Sequence, residues 1–142
     1  MTEEILARIK DRFSKKILRI FEKSPRRIYI DFDSKDIPQV VSFIFRDMEG
    51  RLSTATGVDT RENIEIIYHF SFDSSGTIIS LRTLIDKNNP EIESVTPIIK
   101  GAEWIEREIH ELLGVNFKNH PNLKRLLLPE DWPEGKYPLR RE

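Results

Sequence analysis

IEIIYHFSFDSSGTIISLRTLI, at residues 64–85, carries the clearest structural signal in the chain. Apolar residues alternate with other residues on both sides of Asp73-Ser74-Ser75-Gly76. A period of two predicts strands, and a cluster of Asp, Ser and Gly is typical of a tight connection. The stretch therefore predicts an antiparallel hairpin. Its buried positions would be Ile64, Ile66, Tyr68, Phe70 and Phe72 on one strand and Ile79, Leu81, Thr83 and Ile85 on the other.

The first part of the chain has a helical pattern followed by a strand pattern. Apolar residues recur every three or four positions between Ile5 and Phe21. We therefore expect one amphipathic helix that begins at Thr2 and ends before Ser24-Pro25. Residues 27–32 alternate between polar and apolar, which predicts a short strand.

A second helix and a second strand are predicted between residues 36 and 58. Asp36 and Pro38 suit the start of a helix, and Gly50 suits its end. Its apolar stripe would consist of Val40, Val41, Ile44, Phe45 and Met48. The period then changes to two, which predicts a strand with Leu52, Thr54, Thr56 and Val58 on one face.

A third helix is expected from about Lys100 to Leu113, because apolar residues again recur at helical spacing and Gly114 can end the helix. The predicted order is helix, strand, helix, three strands, helix. This order predicts an α+β fold, in which helices pack on an antiparallel sheet, over residues 1–114.

Residues 115–142 do not fit a regular element. Four prolines, Pro121, Pro129, Pro133 and Pro138, interrupt this segment. Its leucines, Phe117 and Trp132 argue against disorder, because water does not favour exposed apolar groups. We therefore expect an extended, proline-containing C-terminal arm that docks on a partner subunit. The alternative is an arm that only wraps its own sheet.

Composition excludes several kinds of chemistry. The 142 residues contain no cysteine, so the chain offers no disulfide, thiolate nucleophile, cysteine-ligated zinc or iron–sulfur cluster. No segment reaches the roughly 18 consecutive apolar residues of a membrane-spanning helix. Membrane association is therefore expected only through partners. Abundant Glu, Lys, Arg and Ile is similar to the usage of thermophile proteins.

Charge is unevenly distributed along the chain. Residues 1–27 hold nine Lys and Arg against four Asp and Glu, a formal charge of +5, so −6 remains for the other residues. A basic end can dock an acidic partner, an anionic lipid or a nucleic acid, and a solvated helix face is the plainer interpretation. A nucleic-acid-binding module that uses the first helix is thus one alternative function. The overall charge of −1 weakens it.

The polar face of the third helix carries the remaining candidates for chemistry. We expect this face, with Glu103, Arg107 and Glu111 at ion-pairing spacing, to contact solvent or a partner. Glu106 and His110 have a spacing that two metal ligands can share, but two ligands do not make a zinc site. A small metal-dependent enzyme built on Glu106, His110 and His120 is therefore the weakest alternative.

The two remaining histidines receive simpler interpretations. His120 lies between Asn119 and Pro121, where it can hold the C-terminal segment by hydrogen bonds. His69 is expected to face away from the buried side of its strand, because it alternates with Tyr68 and Phe70.

Six short motifs in the last forty residues resemble one known family. They are Glu106-Arg107-Glu108, Glu111-Leu112-Leu113, His120-Pro121, Lys124-Arg125-Leu126-Leu127, Glu130-Asp131-Trp132 and Pro138-Leu139-Arg140-Arg141-Glu142. In this order and spacing they resemble the 30 kDa subunit family of respiratory complex I. Asn119 stands where the family often has glycine, and Glu111 where it often has aspartate.

The resemblance implies a subunit with no catalytic residue, cofactor or metal of its own. It implies a peripheral position at the cytoplasmic face of the membrane, against a large catalytic subunit and neighbouring iron–sulfur subunits. Those partners would carry the iron–sulfur clusters and, in a hydrogenase, a nickel–iron centre. No nucleic acid is expected as a partner. The implied contact residues are Glu106, Arg107, Glu108, Glu111, His120, Pro121, Arg125, Leu126, Trp132, Leu139, Arg140 and Arg141.

The resemblance also favours one kind of complex. The chain stops soon after the Pro-Leu-Arg motif, which is similar to energy-converting, membrane-bound [NiFe] hydrogenases and their sulfur-reducing relatives, where ferredoxin supplies electrons. A subunit of an NADH or F420H2:quinone oxidoreductase is the alternative.

Overall fold

The computed structural model describes residues 1–140, which contain three α-helices, one short 3-10 helix (Ser34–Asp36) and seven strands. The helices are α1 (Thr2–Phe13), α2 (Ile37–Ser42), which continues as a π-helical turn over Phe43–Asp47, and α3 (Ala102–Leu113). The strands are β1 (Ile17–Ser24), β2 (Arg27–Phe32), β3 (Arg51–Asp59), β4 (Asn63–Phe72), β5 (Thr77–Asp86), β6 (Glu91–Glu93) and β7 (Asn116–Lys118).

Five strands form the main sheet in the spatial order β1-β2-β5-β4-β3. The predicted hairpin is confirmed, because β4 and β5 pair antiparallel from Asn63↔Asp86 to Phe72↔Thr77. The β2 strand joins β5 in parallel, with Ile28 opposite Ile79, so the sheet is mixed and mostly antiparallel. The predicted α+β class is confirmed.

The helices cover one face of this sheet, and the core lies between them. The predicted inner positions of the β4–β5 hairpin are buried, except Phe72, which is half-buried. Phe13 of α1 packs edge-on against Phe32 and Phe43, with ring centroids 6.2 and 5.4 Å apart. Each such side chain contributes about 1.5–3 kcal/mol on burial. The predicted stripe of the second helix also joins this core.

The prediction of one long first helix is wrong. The α1 helix ends at Phe13, and residues 17–24 form β1, which pairs antiparallel with β2. The sequence spacing of Ile17, Ile20 and Phe21 is helical. In the structure, however, Ile20 lies opposite the buried Ile30, whereas the next residue, Phe21, lies opposite Tyr29. Pairing with β2 overrides the local pattern here.

The predicted face of β3 is also wrong. The register with β4 shifts between Leu52 and Thr54, so one extra residue separates them. A bulge of this kind reverses the side on which later residues lie. Beyond it, Ala55 and Gly57 face α3, while Thr54, Thr56 and Val58 are directed to the opposite side.

A second small sheet was not foreseen from the sequence. The β6 strand, before α3, pairs in parallel with β7, just after α3, and Ile92 lies opposite the buried Phe117. This pairing joins the first residues of the C-terminal segment to the domain. Residues 119–140, which follow, contain turns and bends but no helix or strand.

Candidate interface on the third helix and the C-terminal segment

The α3 helix lies directly on β3, and Gly57 permits this close approach. A Cβ atom at Gly57 would be 2.6 Å from Leu113 Cδ1 and 3.0 Å from Ile109 Cγ2, distances too short for any larger residue without a shift. As predicted, the helix ends at Gly114, whose φ of +78° suits glycine.

Glu106, on the inner side of α3, is the centre of a buried polar network. Its carboxylate accepts hydrogen bonds from the hydroxyls of Ser94 at 2.6 Å, Thr96 at 2.7 Å and Tyr68 at 2.9 Å, and from the Val95 backbone N–H at 3.1 Å. Four donors therefore offset the cost of burying this side chain. The network ties α3 to β4 and to the β6–α3 connection.

Tyr68 shows the electrostatic effect of this network. Burial of its phenol, followed by the nearby Glu106 carboxylate, raises the pKa of Tyr68 well above its ordinary value of 10.0. A charged phenolate beside a carboxylate in a dry site is unfavourable for both reasons. Tyr68 is the sequence feature that could have indicated this buried network, because a buried phenol on an apolar strand face needs a hydrogen-bond partner.

His120 fastens the C-terminal segment to the start of α3. Its side chain is fully buried, with Nε2 3.1 Å from the Glu103 carbonyl oxygen, while Nδ1 accepts from the Asn122 backbone N–H at 3.0 Å. These partners assign the proton to Nε2, which donates. The prediction that this histidine holds the segment by hydrogen bonds is confirmed.

Arg107 and Glu111, one helical turn apart, bind the backbone of residues 124–128. The guanidinium of Arg107 donates to the carbonyl oxygens of Lys124 at 3.0 Å and Arg125 at 2.7 Å. The Glu111 carboxylate accepts from three successive backbone N–H groups, which belong to Leu126, Leu127 and Leu128 at 2.6–3.0 Å. The segment is thus held by one positive and one negative side chain along the helix.

The three amides determine the acidity of Glu111. Burial opposes ionisation, but the backbone N–H groups of Leu128, Leu127 and Leu126, together with Arg125, outweigh it and lower the pKa of Glu111 below its ordinary value of 4.5. Hydrogen bonds to the charged form favour that form.

The end of the described chain is fastened at the far end of α3. Arg140 donates to the carbonyl oxygens of Leu113 at 3.0 Å and Lys87 at 3.1 Å. The Leu139 backbone N–H donates to the Leu112 carbonyl oxygen, and the Tyr137 ring covers Gly114. Residues 120–140 therefore follow the whole length of the helix.

The expectation was that this helix face contacts solvent or a partner, and contact with solvent is wrong for three of its residues. Glu106, Arg107 and Glu111 are buried against their own chain. Within residues 1–140, Arg107 uses backbone carbonyls instead of the expected ion pairs with Glu103 and Glu111. Sequence spacing could not reveal this, because the acceptors belong to a segment without regular structure.

The other predicted contact residues occupy different positions. Glu108 and Pro121 are exposed, whereas Arg125, Leu126 and Trp132 are half-buried. Arg125 donates to the carbonyl oxygens of Pro129 and Glu130, and Trp132 donates to that of Lys136. Arg141 lies outside the described residues.

Large apolar side chains protrude from this same region. Trp104 of α3 is 61% exposed, Leu127 is 64% exposed and Leu139 is 54% exposed. An open cavity of about 430 Å³ lies between α3 and the C-terminal segment, with Trp132 and Tyr137 among its walls. Exposed apolar groups on a segment whose backbone is bound are typical of an interaction surface.

Only two of the three residues of the metal-site alternative approach each other, His120 Nε2 and Glu106 Oε1 at 4.0 Å. Glu106 is bound by hydroxyls, whereas His110 Nδ1 lies 2.8 Å from the Val115 carbonyl oxygen, to which it donates. Among residues 1–140, no three His, Asp or Glu side chains are grouped to hold a metal ion.

His69 lies on the far face of the sheet, as predicted. It is half-buried between Ser80, 2.8 Å from Nδ1, and Thr56, 3.1 Å from Nε2, and burial lowers its pKa below 6.5.

No helix within the described chain is both long and apolar enough to span a membrane.

The chain belongs to the family described as respiratory-chain NADH dehydrogenase, 30 Kd subunit, which matches residues 30–142. The predicted family is therefore confirmed. Among similar proteins, the C subunit of F(420)H(2) dehydrogenase from Methanosarcina mazei is 33% identical over 141 residues, which cover 97% of this chain and 89% of that protein.

Two other relatives are longer than this chain. Hydrogenase-4 component G of Escherichia coli is 32% identical over 144 residues, which cover 99% of this chain and 26% of that protein. The C subunit of NADH-quinone oxidoreductase from a Roseiflexus species is 37% identical over 112 residues, which cover 75% of this chain and 63% of that protein. The chain thus spans about a quarter of the first and under two thirds of the second.

Solved structures share the fold. A chain of the membrane-bound sulfane sulfur reductase, an archaeal respiratory membrane complex, superposes with a TM-score of 0.81 at 24% identity, over 97% of this chain and 82% of that one. The trypsin-resistant fragment of Nqo5 gives a TM-score of 0.71 at 19% identity, over 85% of this chain and 98% of that one.

Proposed function

We propose that this chain is a non-catalytic accessory subunit in the hydrophilic arm of a membrane-bound, complex I-like redox complex. It binds and stabilises the large catalytic subunit through α3 and residues 120–140. Membership of the 30 Kd subunit family supports this proposal over nucleic-acid binding.

One observation carries the proposal most directly, the exposure of Leu127. Its backbone N–H donates to both oxygens of Glu111, at 3.0 and 2.8 Å, while its side chain is largely exposed. The protein thus fixes an apolar side chain in water, which lowers the entropic cost of binding a partner. Trp104 extends the surface, because its ring stacks 5.4 Å from the guanidinium of Arg107 on the same side of α3.

The chain's own polar groups support a positioning role. Glu106, Arg107, Glu111 and His120 each have their hydrogen bonds satisfied within the chain, and together they fix the binding surface. The iron–sulfur clusters, and a nickel–iron centre if there is one, then belong to partner subunits. Attachment to the membrane follows from those partners, at its cytoplasmic face.

The favoured complex is a ferredoxin-linked, energy-converting hydrogenase or a sulfur-reducing relative. A hydrogenase component among the relatives and the fold shared with the sulfane sulfur reductase chain agree with this choice. The alternative is an F420H2 or NADH:quinone oxidoreductase, which the dehydrogenase relative favours.

The test is recovery of the complex from native membranes through a tag on this chain. Leu127→Glu places a charge in the proposed interface, which costs at least about 1.4 kcal/mol, the equivalent of a tenfold loss of affinity. We expect at least tenfold less large subunit with this variant. Lys10→Glu, at an exposed position on α1, is the matched control and retains it.

Two results would contradict the proposal. One is full recovery of the large subunit with Leu127→Glu. The other is turnover of a redox substrate by the isolated chain. Nickel in the recovered complex selects the hydrogenase, and its absence selects the sulfur or quinone reductase.

A further inference from the structure

A second apolar surface lies far from α3, on the face of the main sheet that the helices leave uncovered. It consists of Leu18, Arg19 and Phe21 on β1, Tyr29 on β2, and Arg82 and Leu84 on β5, and we call it the sheet-face patch. These strands are neighbours in the order β1-β2-β5, so the six residues are adjacent in space although they come from distant parts of the sequence.

Direct contacts connect the members of the sheet-face patch. The Phe21 and Tyr29 rings are 6.4 Å apart, Arg19 lies 6.0 Å from the Phe21 ring centre, and Arg82 lies 5.6 Å from that of Tyr29. Leu18 and Leu84 line one shallow depression beside Arg82, with a volume of about 180 Å³. The patch is therefore continuous.

The apolar members of the patch are well exposed. Leu18 is 69% exposed, Leu84 53% and Phe21 45%. Single exposed apolar residues need no explanation. Here two lie on β1 and one on β5, and Tyr29 and Arg82 connect them across β2, which indicates a surface that is covered in the assembled state.

The charges of the patch identify the kind of group that covers it. Arg82 is already neutralised, because Asp31 accepts two hydrogen bonds from it at 2.9 and 3.1 Å and Glu65, opposite Leu84, is a second nearby carboxylate. Arg19 lies in no ion pair among residues 1–140, although it stacks on Phe21. A guanidinium binds carboxylates, and the ring beside it packs against apolar groups, so the patch suits a segment that has an acidic residue next to an apolar one.

The flat face, rather than the free edge of β1, is the suitable surface. The β1 strand has register shifts near both ends, between Ile17 and Arg19 and between Glu22 and Ser24. Such irregularities, together with lysines and arginines, hinder the addition of another strand at an edge. The three strands that carry the patch, about 4.8 Å apart, present roughly 400 Å². This is about half of what each partner contributes to a standard interface, about 800 Å², so the patch suits a short segment of a partner.

We propose that the sheet-face patch is a second interface of this chain, which binds an acidic and apolar segment of another subunit in the same complex. A second copy of this chain is a poorer occupant, because two identical patches would bring their unpaired Arg19 side chains together. The proposal is independent of the contact through α3, since it uses the opposite face of the sheet.

Site-specific photo-crosslinking in native membranes tests this proposal. The probe is p-benzoylphenylalanine, placed in turn at Phe21, Leu84, Lys10 and Leu127 of the tagged chain, and the crosslinked peptides are identified by mass spectrometry. We expect positions 21 and 84 to capture one segment of another subunit with Asp or Glu within a few residues. Position 10, on α1, gives no such product.

Charge reversal provides the second readout. We expect Arg19→Glu to lower the crosslinking yield at position 84 at least fivefold, whereas Arg19→Lys keeps it within about twofold. The proposal is overturned if neither position 21 nor 84 is captured, or if the product is a lipid, a nucleic acid, a second copy or a segment without acidic residues. It is also overturned if Arg19→Glu changes nothing. Capture at position 127 reports separately on the contact through α3.

Discussion

The substitution Glu111→Gln should weaken the binding of residues 124–128 to α3 with little change in side-chain shape. The side chains have the same size, but glutamine carries no charge and has one acceptor oxygen. In the structure one carboxylate oxygen accepts from Leu126, Leu127 and Leu128, and the other accepts from Leu127 only. The amide NH2 group of glutamine would face the Leu127 N–H, where two donors cannot bond.

The expected magnitude follows from these three amides. A hydrogen bond to a charged group contributes about 1.5–3 kcal/mol, and one between neutral groups about 0.5–1.5 kcal/mol. Each amide therefore loses about 1 kcal/mol, and the three together about 3 kcal/mol. Since about 1.4 kcal/mol corresponds to a factor of ten, the open population of residues 124–128 should rise by about 100-fold.

Limited trypsin digestion measures this opening, because Lys124 and Arg125 lie in the released residues 124–128. Cleavage follows the open population when the segment closes again faster than it is cut. Glu108→Gln, an exposed glutamate of the same helix, is the matched control and should leave the cleavage rate within about twofold. Equal cleavage rates for the two variants would show that the three amides do not hold the segment closed.

The same variant tests how opening of residues 124–128 depends on pH. Because the pKa of Glu111 is lower in the folded chain, its stabilisation is fully present above the ordinary value of 4.5 and is lost as the pH falls through the folded value. Wild-type cleavage at the segment should therefore rise in that acidic range, measured with an acid-active protease. In Glu111→Gln this rise should be smaller. An identical pH profile would show that another group controls the opening.

Three further predictions concern the residues that support this surface. Gly114→Ala should destabilise the chain more than Gly135→Ala. Both glycines have a positive φ, but only a Cβ at Gly114 would lie 2.6 Å from the Tyr137 ring. Urea unfolding should show that the free energies of unfolding of the two variants differ by at least about 1 kcal/mol. Tyr68→Phe should cost about 1–3 kcal/mol, because the buried Glu106 loses a donor. Alkaline titration near 295 nm should show that Tyr68 ionises only when the wild-type chain unfolds, and ionisation of all tyrosines before unfolding would contradict this.

Local patterns predicted the parts of the fold where burial on one face dominates. The β4–β5 hairpin, the stripe of the second helix and the end of α3 at Gly114 follow from residue spacing, because each pattern has one consistent period and a clear terminator. The β1 region failed for the converse reason. Its Ile17, Ile20 and Phe21 follow a helical period, and only pairing with β2 makes this region a strand.

The candidate site was predicted only in part. The motifs contain the residues of α3 and the C-terminal segment that the structure brings together, although the sequence predicted them as contacts to a partner. His120 indicated how the segment is held. The bonding pattern could not be read, because Ser94 and Thr96 precede the helix and have no spacing that relates them to Glu106. Arg107 donates to backbone carbonyl oxygens, and the sequence does not show which carbonyls a side chain will bind, because every residue has one.

Composition, periodicity and linked motifs are properties of the linear chain, and they were enough to establish the α+β class, the family and the lack of cysteine chemistry. Which charges are buried, and which apolar groups stay exposed, became known from the folded chain alone. Glu111 and Glu108 are the same residue type on one helix, yet one is enclosed by three amides and the other faces water. Burial depends on contacts between segments that are distant in the sequence, and the local spacing of residues does not predict these contacts.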